Sequence, residues 1–137
     1  MRIRRSAERW FPMVGDPDEG SVLIKDLTPG EIQDIVDKAM PRKYEYEADE
    51  KGNQIPKLTV NMDNTLQREL TFKACILDWK NFYDEDDALM ECTPENIIRA
   101  SRKIDGFNEF VIDSQNTLTK DIAEEKQGQE KNLSSSV

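Results

Sequence analysis

The segment from Thr65 to Phe82 constrains the fold most, because it holds enough large apolar residues to centre a core. Leu66, Leu70 and Leu77 fall on one helical stripe. Phe72, Ile76, Trp79 and Tyr83 fall on a neighbouring one. This spacing predicts a single core helix with a wide apolar face, and Asn64 is placed to cap it. Elsewhere apolar residues are scarce. Only 36% of the 137 residues are hydrophobic and 34% are charged, against roughly 45–50% (a count that includes Gly) and ~25% in average domains. The length fits one domain. The composition then predicts one compact core and a stretch that never joins it.

Around that centre the punctuation is clear. Residues 1 to 20 read as a flexible arm, with Arg2, Arg4, Arg5 and Arg9 ahead of Trp10, Phe11 and Pro12, then turn residues from Gly15 to Gly20. Ser21 to Leu27 reads as a strand with Val22 and Ile24 on one face. Thr28-Pro-Gly-Glu31 and Thr93-Pro-Glu-Asn96 are helix starts, with proline suited to the first helical position. Ile32, Ile35, Val36, Ala39 and Met40 follow the first start at helical spacing, and Pro41 ends that helix. Ile97, Ile98, Ala100 and Ile104 follow the second, which stops at Asp105-Gly106. Residues 43–48 and 54–62 alternate around the turn at 49–53, as a charged β-hairpin or a loop that pairs only at times, with Pro56 fitting only an edge. A last helix over 107–125 carries Phe107, Phe110, Val111, Ser114, Leu118 and Ile122 on one stripe. Residues 126–137 are polar, which predicts a disordered tail. The expected fold class is therefore α+β but mainly α. Three or four helices pack together with a small strand or hairpin within residues 21–62, in one globular domain over 21–125.

Charge and chemistry exclude several functions. The formal net charge is -9 and the pI is about 4.6, which disfavours nucleic acid and anionic membranes as partners. Histidine is absent, which removes the most common general base and metal ligand. No glycine-rich phosphate loop occurs. Cys75 and Cys92 form no CxxC unit. No apolar run is long enough to span a bilayer and no secretory signal opens the chain, so a cytosolic setting with reduced thiols is expected. No cofactor or metal is expected.

Each candidate for chemistry has a plainer reading beside it. Counted as an EF-hand loop from Asp84, the acidic run Asp84–Asp87 places Ala88 at position five and Leu89 at position six, where an oxygen ligand and glycine are needed. It reads better as a solvated turn, as do Asp16 and Asp18 beside Gly20. Paired carboxylates suited to glycoside hydrolysis arise by chance in so acidic a chain. Cys75 reads as a small buried hydrophobe. Cys92 precedes a helix start whose field lowers a thiol pKa, but there is no histidine to serve as its base. The arginine arm is either a flexible terminus or a contact to the acidic surface of another copy. Among the aromatic residues core packing is the default. Trp79, Phe82, Tyr83, Phe107 and Phe110 are the candidates to line a groove for an apolar partner helix.

One ordered set of features in the second half resembles a known family. A helix ends in Leu77-Asp-Trp79-Lys80-Asn81-Phe82, an acidic turn follows, and Leu89-Met-Glu-Cys-Thr-Pro-Glu-Asn96 leads into a short helix. A final charged helix runs into Glu130-Lys-Asn-Leu-Ser-Ser-Ser136. This order is similar to the tail assembly chaperones of long-tailed bacteriophages and prophages. There a tryptophan-centred DW segment and an acidic-glycine turn precede a T-x-E-N helix start and a KNSS-type terminus. The likeness covers residues 66–137. In this chain Asp84–Asp87 stand where the family turn has its glycine.

The resemblance implies a non-enzymatic protein in the host cytoplasm. It would bind the tape measure protein, help recruit tail tube subunits and associate with its own copies. Alternatives are a tail completion or other virion structural subunit, or a small bacterial adaptor that binds one protein.

Overall fold

The structure is a computed structural model that describes residues 1–3 and 5–135, except for the side chains of 129–135. Arg4 of the basic arm and the last two residues of the tail lie outside the described residues. Among the described residues there are five strands and four helices, in chain order. They are β1 Glu8–Pro12, β2 Ser21–Lys25, α1 Pro29–Ala39, β3 Arg42–Ala48, β4 Gln54–Val60, α2 Asn64–Cys75, β5 Ile76–Lys80, α3 Pro94–Lys103 and α4 Phe107–Ser135. With 43% helix and 24% strand in two sheets, the fold is α+β with substantial sheet. It is not the mainly α arrangement with one small hairpin that the sequence suggests. Two compact units form, Met1–Thr28 with Phe72–Val137 and the insert Pro29–Thr71.

The first unit is built on an antiparallel sheet of order β1-β2-β5. Phe11 lies opposite Val22 and Val22 opposite Trp79; Ile24 lies opposite Ile76. These residues share the face that α3 and α4 cover, and Val22 and Ile24 are completely buried there. β1 forms where the sequence reads as a flexible arm. Its side chains are mostly exposed, so no alternation marks it, and it gains its place by pairing with β2. Arg9 is no part of a free arm, since it forms a 2.7 Å ion pair with Asp121 on α4.

The expected core helix over 65–82 divides in two. α2 stops at Cys75 and the chain enters β5 with no intervening loop. The register shifts between Leu23 and Ile24 of β2, whose partners are Asp78 and Ile76, which leaves Leu77 as a bulge. The bulge places buried Trp79 three positions after buried Ile76 instead of two. That is a helical interval, so the strand imitates the helix before it. The cap is Asp63 and not Asn64, since the Asp63 carboxylate accepts the Leu66 N–H at 3.0 Å.

Phe72, Trp79, Phe82 and Phe107 form the aromatic centre. Trp79 and Phe82 stack at 4.3 Å between ring centres, and Phe107 meets Phe72, Trp79 and Phe82 edge to face. The indole N–H of Trp79 donates to the Met90 carbonyl at 2.9 Å, so its one polar atom is satisfied inside. α3 begins as its sequence indicates, with the Thr93 hydroxyl accepting the Asn96 N–H and Pro94 in the first turn. α4 buries Phe107, Val111, Ser114 and Leu118 along one stripe. It runs on to Ser135, beyond the boundary at residue 125 read from the sequence and through most of the segment read as a disordered tail.

The second unit holds α1, the β3–β4 hairpin and the first part of α2. Ile35 and Ala39 of α1 are buried, and the Ala39 carbonyl accepts the Asp63 N–H at 2.8 Å. The hairpin is fully paired from Arg42 opposite Val60 to Ala48 opposite Gln54. Its turn is held by the Asp49 carboxylate, which accepts N–H groups from Lys51 and Asn53.

Candidate functional site

Two surfaces carry apolar side chains that nothing in their own unit covers. The first is a cleft of about 460 Å³ in the first unit. One wall is the loop between β1 and β2. Gly15 takes a positive φ there, and the Asp16 carboxylate accepts N–H groups from Asp18 and Gly20. Gly20 is required by close approach, since a Cβ would lie 2.7 Å from an Asp16 carboxylate oxygen and 3.4 Å from the Phe82 ring. The opposite wall follows β5. Asn81 adopts a positive φ, which its short amide side chain tolerates, and that amide donates to the Glu19 carbonyl at 3.1 Å. The α3–α4 turn, with Asp105, Gly106 and Phe110, completes the lining.

This cleft brings together Phe82, Tyr83 and Phe110 from the five aromatic residues picked out by sequence. Phe82 is mostly buried and reaches the cleft by its edge, Tyr83 is 42% exposed, and Phe110 is half-buried. Trp79 and Phe107 are core residues, 6% and 0% exposed. One turn of α-helix, ~5.4 Å long and ~11 Å wide, fills roughly 500 Å³. The cleft is therefore of a size to take a few side chains of a partner segment. Asp16, Asp18 and Asp105 line it, with no lysine or arginine among its described lining residues. The sequence does not mark the loop from Met13 to Gly20 as a wall. Its only sequence signal was the Asp16-to-Gly20 spacing of a tight turn.

The acidic turn beside the cleft closes on itself. The Asp84 carboxylate accepts N–H groups from Asp86 and Ala88, each at 2.9 Å, and these bonds hold its pKa below the ordinary value. Both carboxylate oxygens of Glu85 accept from the Arg99 guanidinium at 2.7 Å, which lowers the Glu85 pKa as well. These oxygens serve the turn and α3. Among the described residues no group of three or more His, Cys, Asp or Glu is arranged to hold a metal. Cys75 is buried and its thiol is pushed up to about 12 by burial. Cys92 moves opposite to the sequence expectation. Burial, helped by the Asp78 carboxylate, pushes it up to about 11.

The second surface is the hairpin. Register places Tyr44, Tyr46, Pro56, Leu58 and Val60 on one face, with Arg42, Ala48 and Gln54 at its ends. The other face holds Lys43, Glu45, Glu47, Ile55, Lys57 and Thr59, including a 3.3 Å Lys57–Glu47 ion pair. Tyr44 and Tyr46 are about two-thirds exposed, and Leu58 and Val60 nearly half. Sequence alternation shows this pattern, but not that the apolar face stays open.

Among the described residues no helix is long and apolar enough to cross a membrane. A scan of protein-family models, a search of curated proteins and a search of solved structures each return no match to this chain.

Proposed function

We propose that the chain is a tail assembly chaperone of a long-tailed phage, and that it lays the apolar face of β3–β4 along the helical tape measure protein. The exposed strip of Tyr44, Tyr46, Leu58 and Val60 carries this reading. An isolated two-stranded hairpin is marginally stable in water and gains from being covered. Strands of seven residues span about 23 Å, the length of about four helical turns. Covering four half-exposed side chains contributes roughly 1 kcal/mol each. The total of about 4 kcal/mol corresponds to a millimolar contact before ordering costs. A cover this weak leaves easily when tube subunits arrive, and it needs many copies in a row to hold meanwhile. The net charge of -9 keeps such copies soluble.

The test is co-expression with the tape measure protein encoded in the same gene cluster. The native chain raises the soluble fraction of its partner and is retained with it. Tyr44→Asp combined with Leu58→Asp removes both effects while circular dichroism stays native. A partner whose solubility and retention ignore the chain defeats the proposal. Recovery of the chain from purified mature particles favours a virion subunit instead.

A further inference from the structure

We propose that the acidic cleft receives the N-terminal arm of a second copy of this chain, with Ile3 on the apolar floor and Arg2 and Arg5 against Asp18 and Asp105. Three carboxylates line the cleft over the half-buried Ile104 and Phe110 and the edge of Phe82. The arm has the matching chemistry. Ile3 is fully exposed, and Arg2 and Arg5 are exposed on either side of it. An isoleucine between guanidiniums satisfies the floor and the rim together, and on a chain of net charge -9 such a segment is drawn to carboxylates.

Reach decides between the same copy and another. The root of the arm is fixed where the Ala7 carbonyl accepts the Asp26 N–H at 2.8 Å, beside the end of β1 at which Glu8 faces Lys25. The cleft begins at Met13, past the other end of that strand. Ala7 and Met13 are separated by about 20 Å at ~3.3 Å per residue. Folded back, the four residues from Ala7 to Ile3 span at most about 14 Å, so the arm falls short of its own cleft.

Donor and acceptor sit at opposite ends of β1, so each copy gives at one end and receives at the other. The contact is heterologous, and its repetition makes a head-to-tail row. It concerns the first unit alone and stands or falls independently of the hairpin reading.

Sedimentation velocity of the full chain tests this. At low salt the average mass rises with concentration, and about 0.5 M salt weakens the association by roughly tenfold, because the charge pairs are exposed. Ile3→Asp destroys the donor and keeps the cleft, whereas Asp18→Lys with Asp105→Lys destroys the acceptor and keeps the arm. All three positions are exposed, so each variant keeps the native circular dichroism spectrum. Each alone is monomeric, and an equal mixture stops at a dimer. A native chain that stays monomeric at every concentration overturns the proposal. So does an Ile3→Asp chain that assembles like the native one, or a mixture that forms no dimer.

Discussion

The β1–β2–β5 sheet and the β3–β4 hairpin are both antiparallel, but the molecule treats them in opposite ways. In β2 every second residue disappears under α3 and α4, and Val22 and Ile24 have no exposed surface. In β3 all seven residues are exposed, although its register with β4 is complete. Backbone pairing is common to both, so it does not distinguish them. The difference is the covering layer, which supplies the apolar burial that drives folding. The first unit owns such a layer. The hairpin has no such layer among the described residues, and Tyr44, Tyr46, Leu58 and Val60 stay open to solvent.

The comparison breaks most sharply at Phe107. Truncating Phe107→Ala opens a cavity between three aromatic rings and is expected to cost about 3–5 kcal/mol, read as a large fall in melting temperature. Tyr44→Ala on the hairpin should stay within about 0.5 kcal/mol. Equal losses would mean that the hairpin face is covered after all.

Trp79→Phe makes a smaller change within the first unit. It leaves a smaller aromatic ring and strips the Met90 carbonyl of its donor, and the lost hydrogen bond alone should cost about 1–3 kcal/mol by denaturant titration. Amide exchange sharpens the contrast without mutation. N–H groups of the hairpin should exchange at least about a hundredfold faster than those of Val22 and Ile24, because local opening there exposes little new apolar surface.

The smallest effect is acidic. Asp84 and Glu85 have lowered pKa values in the folded chain. The stability they contribute is therefore present above their ordinary values of 3.8 and 4.5 and is lost as pH falls through the lower folded values. Amide signals from Tyr83 to Leu89 should loosen in that window before the core does. Loosening that begins near neutral pH would contradict the assignment.

What the sequence discloses follows the same division. Where a helix or strand buries a regular face against its own unit, spacing reveals it, as in β2, α3 and α4. The hairpin is visible as alternation, since Tyr44 and Tyr46 interleave with charge. β1 escapes notice because Arg9, Trp10 and Pro12 carry no apolar rhythm, and only pairing with β2 makes them a strand. The cleft is half legible. Tyr83 and Phe110 are conspicuous near turns, but the loop that faces them across the cleft is ordinary turn chemistry, and its place depends on a strand the sequence hides. The size that makes Phe107 and Trp79 conspicuous in the sequence is also why they are buried.

Leu77 has a consequence of its own. It is supernumerary in β5, because without it Ile76, Asp78 and Trp79 would stand directly across from Ile24, Leu23 and Val22 in unbroken alternation. Excising this single residue should therefore leave the ladder intact, whereas excising Trp79 would drag Lys80 into the interior position opposite Val22. A chain read without Leu77 would have announced a strand instead of the last turns of a helix.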